Sequence, residues 1–294
     1  MSPDRTWNAS AEDARRKALD QVRRTPGYLS DREARFLFLL GALAPGSGDV
    51  LEIGSFKGRS TVALASGVQW RGEGIVHAVD PHTAPSPTDP DLKGSTTTWD
   101  DFTDNIRDAG LTSLVRAQRA FSQDIAPAFG GLLRVLWIDG EHTTTGARRD
   151  LTLFRPFLIP GAIVAMHDVL GTWEGSLRVF CEDVLAGDDF GAAGFCGSIG
   201  WAQFLPGQGG ALGHRFRRRL LAIPAGQLIP VAASGRGLVG LNKLRYKIWR
   251  PLAPHGEVNP ARWLDRIEHG TTRGSGPRLT ACWGLLRRSD EAGS

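Results

Sequence analysis

The sequence predicts an α/β fold with a mostly parallel sheet and helices on both of its faces. Short apolar segments alternate with segments of helical periodicity, which is typical of right-handed β–α–β units. The predicted strands are apolar almost throughout, as expected where both faces of a parallel sheet are covered. Four of them carry an acidic residue or a His–Asp pair at the carboxyl end, namely Val50–Ile53, Gly74–Asp80, Leu132–Asp139 and Ala162–His167.

Two helices are predicted ahead of the first strand. Ser10–Arg24 has Ser10 as its candidate N-cap, and Ser30–Leu43 begins with a capping box formed by Ser30 and Glu33. Pro81–Gly94 is predicted to be a long loop that could serve as a lid. The other predicted helices are Arg59–Ser66, Trp99–Ala109, Thr145–Leu158, Glu174–Ala186 and Arg215–Ala222, and the other predicted strands are Leu114–Ala117, Gly194–Cys196 and Ile199–Leu205.

The 294 residues divide into three predicted regions: a helical segment over 1–45, an α/β domain over 46–206 and a basic extension over 207–294. The chain carries a net charge of +4, yet residues 211–294 alone hold 15 Lys and Arg against 5 Asp and Glu. Such an extension favours an anionic partner, which could be a membrane surface, a phosphate-bearing substrate or a nucleic acid. A solvated basic surface without a partner is the plain alternative.

The cysteines and the N-terminus indicate the compartment. Cys181, Cys196 and Cys282 are far apart and form no CxxC motif, which argues against a disulfide framework or a zinc site. The first twenty residues are polar and charged, so we predict no signal peptide, and no run of about 18 apolar residues predicts a transmembrane helix. We therefore expect a cytoplasmic protein, with the extension as a candidate for peripheral contact at the inner face of the membrane.

The stretch Val50–Ser60 has the pattern of a strand that passes directly into a helix beside a ligand. An apolar run reaches Glu52 and is followed by Gly54 and Gly58, four residues apart, and then by Ser60. Glycines allow a tight turn and close approach of the backbone to a ligand. The three-glycine pattern that cradles a pyrophosphate is incomplete, so a nicotinamide oxidoreductase is disfavoured.

Four motifs together resemble class I S-adenosylmethionine-dependent methyltransferases. They are VLEIGSFKGRST, GIVHAVDPH, LWIDGEHTTTGARRDL and PGAIVAMHDV, and the resemblance covers about residues 30–205. The most similar branch contains macrolide-sugar O-methyltransferases and cephalosporin-hydroxylase-like relatives. The resemblance implies a Rossmann-like fold with a seven-stranded, mostly parallel sheet, and S-adenosylmethionine as cofactor.

The resemblance also implies which residues bind the cofactor. The backbone at Gly54 would lie against its aminocarboxypropyl group, and Glu52 would either accept from its ammonium group or orient the loop. Asp80 would accept from both ribose hydroxyls. The remaining expected contacts are Ser55, Phe56, Gly58, Ser60, His82, Phe121, Ser122 and Asp139.

The chemistry is expected at the ends of the fourth and fifth strands. In the resembling sugar O-methyltransferases, acids at these positions hold a divalent metal, which implies Asp139 and Asp168 as ligands here, with His167 as a third. Oxygen ligands suit Mg²⁺, whereas an imidazole shifts the preference toward Mn²⁺, Fe²⁺ or Zn²⁺. Such a metal would bind two vicinal hydroxyls of the acceptor. His142 is the candidate general base, with Asp139 beside it, because the pKa of an unperturbed imidazole lies near neutrality.

The predicted function is O-methylation of a hydroxyl on a sugar or on a glycosylated or lipid-linked metabolite. A metal-dependent methyltransferase for catechols or phenols is the alternative enzyme. A non-catalytic module that binds cofactor and partner is the alternative outside catalysis. The expected partner is a small-molecule or glycan acceptor; a homo-oligomer stays open, and nucleic acid is not favoured.

Overall fold

The computed structural model describes residues 6–83, 97–208 and 212–269. These residues contain seven strands: β1 (Asp49–Ile53), β2 (Val76–Val79), β3 (Val115–Gln118), β4 (Leu133–Ile138), β5 (Leu158–Met166), β6 (Phe190–Cys196) and β7 (Ile199–Phe204). They form one sheet in the order β3-β2-β1-β4-β5-β7-β6. The first five are parallel, and β7 runs antiparallel to both β5 and β6. The mostly parallel seven-stranded sheet predicted from the sequence is confirmed.

Eleven helices occur in the described part of the chain. They are α1 (Ala9–Arg24), α2 (Asp31–Leu43), α3 (Arg59–Arg71), α4 (Trp99–Asp108), α5 (Ser122–Ile125), α6 (Thr144–Phe154), α7 (Glu174–Val179), α8 (Leu212–Gly226), α9 (Ile229–Ala233), α10 (Gly240–Trp249) and α11 (Pro260–His269). None of the helices in these ranges is long and apolar enough to cross a membrane.

Two hydrophobic cores cover the two faces of the sheet. Successive strand residues belong to opposite cores: Val135 and Trp137 of β4 belong to one, whereas Leu136 and Ile138 belong to the other. This alternation of faces, with both faces apolar, explains why the strands read as continuous hydrophobic runs. Residues of α1 to α4 and α11 complete the first core, and residues of α6 to α9 complete the second.

The N-terminal helices pack on α3 and share its core. The capping box at α2 is confirmed: the Ser30 hydroxyl accepts from the backbone N–H of Glu33, whose carboxylate accepts from the backbone N–H of Ser30. The predicted cap of α1 is wrong by two residues. Asn8, not Ser10, accepts from the N–H of Ala11, because its amide oxygen reaches the third residue beyond it.

The structure differs from the sequence predictions around two prolines and two long helices. The predicted helix over 145–158 ends at Phe154, since Pro156 introduces a 3₁₀ turn over Arg155–Phe157. Strand β5 begins earlier than predicted, and Pro160 with Gly161 lies where its pairing with β4 shifts register. The predicted helix from Glu174 changes to a π-helical turn over Phe180–Leu185.

The C-terminal region is partly integrated into the domain. Trp263, Leu264 and Ile267 of α11 are buried in the core on the first face of the sheet. The side chain of Gln203 in β7 donates to the carbonyl of Ile267 at 3.1 Å. Helix α8 is longer than the predicted Arg215–Ala222. Part of the predicted basic extension therefore packs against the α/β domain.

Candidate active site

The turn after β1 brings the ends of three strands together. Gly54 has φ +87°, and a Cβ at this position would lie 2.2 Å from the backbone oxygen of Asp139. The N–H of Gly54 donates to the carbonyl of Val79 at 2.9 Å, and the N–H of Asp139 donates to the carbonyl of Ile53 at 2.8 Å. Only glycine combines this left-handed conformation with this close approach, so Gly54 is what allows the ends of β1 and β4 to meet at this edge of the sheet.

Glu52 lies beneath the turn rather than in the cavity beside it. Its carboxylate is fully buried and accepts from the hydroxyls of Ser60 and Thr61, each at 2.5 Å. Burial outweighs these hydrogen bonds and raises the pKa of Glu52 from 4.5 to about 8. Of the two roles expected for Glu52, its position favours orienting the loop. Gly58, also expected at the cofactor, is the αL N-cap residue of α3 and faces Phe102, so its side-chain position points away from the cavity.

Asp80, directly after β2, fixes the same turn from the other side. Its carboxylate accepts from the backbone N–H of Phe56 at 2.8 Å and from that of His82 at 2.6 Å. His82 was also expected to reach the cofactor, but it is not among the residues that line the cavity. Its ring is buried, with Nδ1 at 2.9 Å from the hydroxyl of Thr98 and an edge-on contact with Trp99. It acts as a packing residue.

A cavity of about 720 Å³ opens where β1 and β4 lie side by side. The strand order changes direction there, which is where open α/β sheets bind ligands. Of the predicted loop Pro81–Gly94, residues 84–94 lie outside the described residues. The cavity is lined by most of the residues predicted from the sequence, namely Gly54, Ser55, Phe56, Ser60, Asp80, Phe121, Ser122, Asp139, His142, His167 and Asp168.

One wall of the cavity is formed at the start of α5. The hydroxyl of Ser122 donates to Asp150 of α6 at 2.5 Å, and both side chains are buried. Burial, opposed by this hydrogen bond, raises the pKa of Asp150 above its usual value. Phe121, the residue before Ser122, exposes about half of its surface. This wall therefore offers an aromatic face beside a buried carboxyl group.

Two carboxylates and an imidazole converge at the ends of β4 and β5. Nε2 of His142 lies 3.1 Å from Oδ2 of Asp168 and 3.8 Å from Oδ1 of Asp139. One ligand-forming atom of each residue lies within 4.8 Å of the other two. Burial opposes protonation of His142, but the hydrogen bond to Asp168 and the charge of Asp139 raise its pKa overall. The structure thus assembles a compact acidic cluster that fits a divalent cation.

His167, predicted as the third metal ligand, lies beside the carboxylate pair and also faces Glu33. Its Nδ1 lies 3.1 Å from Oδ1 of Asp139, and its Nε2 lies 3.8 Å from Oε1 of Glu33. Burial disfavours the imidazolium, yet the charge of Asp139 and the other carboxylates raise the pKa of His167 well above its usual value. Nδ1 of His167 also lies 3.8 Å from Oδ2 of Asp168, so the two imidazoles lie equally close to the carboxylate pair. His142 joins the cluster as a second imidazole.

The structure also identifies an anchor that sequence reasoning missed. Glu33 of α2 accepts at Oε1 from both the N–H and the hydroxyl of Ser198 at 2.7 Å, while Oε2 accepts from Ser30. Burial opposes ionisation, but His167 and these hydrogen bonds hold the pKa of Glu33 well below its usual range. Glu33 thus caps α2 and also positions His167. The sequence indicated only the first role, because the capping box was reason enough for a glutamate at this position.

Three further cavity residues were not predicted as site residues. Tyr28 stacks on Phe56, with ring centroids 5.8 Å apart, and Trp173 lies 5.2 Å from the ring of His142 while exposing 40% of its surface. Asp150 could have been singled out from the sequence, because an acidic residue on the buried, apolar face of α6 is unusual. Tyr28 had none, because only tertiary packing brings the loop between α1 and α2 to the turn after β1.

Comparison with known families supports the class of enzyme. Residues 51–169 match a family described as a methyltransferase domain. The match begins in β1 and ends just after Asp168, so it contains the turn at Gly54, the acid at Asp80 and the cluster around Asp139. The predicted methyltransferase class is confirmed over this region.

The fold is also similar to several solved structures. One is cofactor-bound Rv0187 from MTB, with 19% identity and a TM-score of 0.49, over 68% of this chain and 91% of that one. Another is the O-methyltransferase TomG from Streptomyces achromogenes in complex with SAM, with 18% identity and a TM-score of 0.48, over 68% and 91%. A third is an O-methyltransferase from Bacillus cereus in complex with SAH, with 19% identity and a TM-score of 0.46, over 67% and 92%.

Proposed function

We propose that this methyltransferase uses S-adenosylmethionine to methylate a hydroxyl group, assisted by a divalent cation, with a sugar-containing molecule as acceptor. The observation that carries the proposal is a shared cavity. The turn at Gly54 and the acid Asp80 line one part of it, and the cluster of Asp139, His142 and Asp168 lines another. A methyl donor and an acceptor hydroxyl bound there would be neighbours, which is what direct transfer needs.

The residues at the turn suit S-adenosylmethionine, which supplies the methyl group as part of a sulfonium. Gly54 lines the cavity and has no side chain, and its backbone packs directly against that of Asp139. Each carboxylate oxygen of Asp80 accepts one hydrogen bond, from the N–H of Phe56 or of His82. Each oxygen therefore keeps a lone pair that could accept from a ribose hydroxyl. Phe121 offers a ring face for the adenine, beside the buried carboxyl of Asp150.

The residues at the acidic cluster suit a divalent cation and a base. Asp139 and Asp168 offer carboxylate oxygens, which Mg²⁺ and Mn²⁺ accept as ligands. A bound cation of this kind lowers the pKa of a coordinated hydroxyl. We assign the removal of the hydroxyl proton to the imidazole of His142, whose ring Asp168 orients through the 3.1 Å contact at Nε2.

The sugar-containing acceptor is supported by the aromatic ring at the mouth of the cluster. Trp173 presents an exposed face beside His142, and such a face can stack on a sugar ring. A catechol would also stack there, so an acceptor screen has to include both classes. If catechols are methylated and sugars are not, the acceptor is a phenol and the assignment of a sugar is wrong.

Calorimetry with S-adenosylmethionine and with Mn²⁺ tests the two halves of the site separately. We expect one cofactor and one cation to bind per chain. Asp139→Asn and Asp168→Asn should abolish Mn²⁺ binding, and Asp168→Asn should leave cofactor affinity within about twofold. Asp104→Asn, an exposed change in α4, is the matched control and should bind both. No heat with S-adenosylmethionine would refute the cofactor assignment, and unchanged Mn²⁺ binding in both variants would refute the cation site.

The role of His142 is tested with His142→Gln. If His142 is the base, the variant should bind Mn²⁺ normally and transfer methyl groups about 100-fold more slowly. Loss of Mn²⁺ binding would show that the imidazole is a ligand and would contradict its assignment as base.

A further inference from the structure

Helix α8 carries an exposed apolar face. Its inner side is buried, with Leu221 and Ala225 in the core and the guanidinium of Arg218 bonded to the carbonyls of Leu185 and Gly187. Four large apolar residues of the same helix are nevertheless exposed, at the helical spacing i, i+4, i+8 and i+11, and they are Leu212, Phe216, Leu220 and Ile223. This spacing places them on one side of the helix.

Helix α10 repeats the pattern. Tyr246 and Trp249 pack inward against the core, whereas the outward residues are exposed. Those residues are Leu241, Leu244, Ile248 and, in the turn that follows the helix, Leu252. Leu212 and Leu241 expose more than 80% of their surfaces. Scattered exposed leucines are ordinary, but two neighbouring stripes of this kind mark an interaction surface. We call these eight residues and the cations beside them the α8–α10 surface.

The charge around the two stripes has one sign. Residues 212–254 contain nine Lys and Arg and no Asp or Glu. Among them, Arg219 on α8 and Lys243 and Lys247 on α10 are exposed and form no ion pair with any residue that the structure describes. An apolar stripe flanked by cations is the pattern of a helix that lies in the interface of an anionic membrane.

The two helices are tied to each other and to the active site. Arg245 of α10 donates to the side chain of Gln227, just beyond α8, at 3.0 Å. The hydroxyl of Tyr246 and Nε of Arg250 both donate to the carbonyl of Leu170, at 2.9 and 3.2 Å. Leu170 lies two residues after Asp168, so the α8–α10 surface is anchored on the loop that carries the acidic cluster.

We propose that the α8–α10 surface docks the protein on an anionic lipid bilayer. An anionic bilayer complements both features of this surface. Its apolar layer can receive the two stripes, and its negative headgroups can attract the cations. Self-association explains the surface less well, because a two-fold interface would set the same cations against themselves. The inference depends on the surface alone and goes beyond the proposed reaction; if both hold, the acceptor is reached from the membrane side.

Vesicle flotation of the full chain tests this proposal. We expect flotation with vesicles of phosphatidylcholine and 30% phosphatidylglycerol, and none with phosphatidylcholine alone. Lys243→Gln with Lys247→Gln should weaken binding by about tenfold or more, since each cation near an anionic surface contributes about fivefold. Phe216→Asn with Leu220→Asn should weaken it by a similar factor.

Matched controls come from other parts of the fold. Arg16→Gln with Lys17→Gln removes the same charge from α1, which packs on the opposite face of the sheet, and Leu132→Asn removes an exposed leucine far from the two helices. Both controls should float as the parent does. All variants should retain the parent melting temperature and S-adenosylmethionine affinity, which separates this test from the proposed reaction.

Three results would overturn the proposal. Equal flotation with neutral vesicles would remove the role of the cations. Unchanged flotation of both surface variants would place the lipid contact elsewhere. A stable dimer in light scattering that Phe216→Asn with Leu220→Asn converts to monomer, without flotation of the parent, would assign the surface to a second copy of the chain.

Discussion

The two sides of the cavity are built in different ways. At the cofactor side, the backbone makes the site: Gly54 lets the ends of β1 and β4 meet closely, and Asp80 fixes the N–H groups of Phe56 and His82. At the acceptor side, side-chain charges make the site, with Asp139, His142 and Asp168 within contact of one another. A backbone cradle depends on fixed geometry, whereas a charged cluster depends on protonation and on bound ions. The two sides should therefore respond differently to substitution and to pH.

The largest effect is expected at the backbone side, for Gly54→Ala. The added Cβ would lie 2.2 Å from a backbone oxygen that cannot move away cheaply, in a conformation with φ +87°. We expect calorimetry to detect no binding of S-adenosylmethionine. Gly72→Ala is the control, since Gly72 also has positive φ but has open space around it. That variant should lose only about 1 kcal/mol of stability and bind cofactor normally. Normal cofactor binding by Gly54→Ala would refute the cradle.

The next largest effect is expected at the charged side, as a pH dependence of methyl transfer. The hydrogen bond to Asp168 and the charge of Asp139 raise the pKa of His142. A base must be neutral to accept a proton, so without added cation the rate should rise with pH through this raised pKa. Asp168→Asn removes a carboxylate, and the inflection should move to lower pH together with a loss of about 100-fold in rate. An unmoved inflection would contradict the coupling of these two residues.

A smaller effect is expected behind the cluster, for Glu33→Gln. The carboxylate of Glu33 faces the imidazolium of His167, and the pKa of Glu33 is held low while that of His167 is raised. The contribution of Glu33 is present above its unfolded pKa and is lost as the pH falls through its lower folded pKa. That of His167 is complete below its unfolded pKa and is lost as the pH rises through its higher folded pKa.

At pH 6 both contributions are therefore present, and Glu33→Gln should lower the free energy of unfolding by about 3 kcal/mol. Urea denaturation measures this. The exposed change Glu12→Gln is the control and should cost less than about 0.5 kcal/mol. An equally small loss for Glu33→Gln would show that Glu33 does not hold His167.

The smallest effect is expected beneath the turn, for Glu52→Gln. Burial raises the pKa of Glu52 to about 8, so the folded protein keeps this group neutral while the unfolded chain ionises near pH 4.5. Its contribution to stability is full below pH 4.5 and is lost as the pH rises toward 8. Glutamine cannot ionise, so the variant should show a flatter dependence of Tm on pH in this range. An unchanged slope would contradict the assignment of a neutral carboxyl.

The features that could be predicted from the sequence are those set by short local patterns. The turn at Gly54, the acid at Asp80 and the pair Asp139 and Asp168 were all readable, because the carboxyl ends of parallel strands must meet at one edge. The features of the site that could not be predicted depend on contacts between segments far apart in the chain. Glu33 reaches His167 across 134 positions of the chain, and nothing in either local pattern indicates it.

Two histidines show the same limit of local pattern. His82 follows a strand end, as a cofactor contact would, but packing against Thr98 and Trp99 buries it away from the cavity. His167 neighbours Asp168 and was predicted as a metal ligand; Nδ1 does face Asp139 and Asp168, but the sequence did not indicate that Nε2 faces Glu33. Local pattern places a residue at the edge of the sheet, and only tertiary contacts decide which way its side chain turns.

Transfer of a labelled methyl group from S-adenosylmethionine tests the joint use of both sides of the cavity most directly. The full chain would be incubated with hydroxylated sugars, glycolipids and catechols, once with Mg²⁺ or Mn²⁺ and once after EDTA. We predict label on a hydroxyl oxygen of a sugar-containing acceptor with the metal, and a loss of about 100-fold after EDTA. Transfer at an equal rate after EDTA, or label on nitrogen or carbon instead of oxygen, would contradict the proposal.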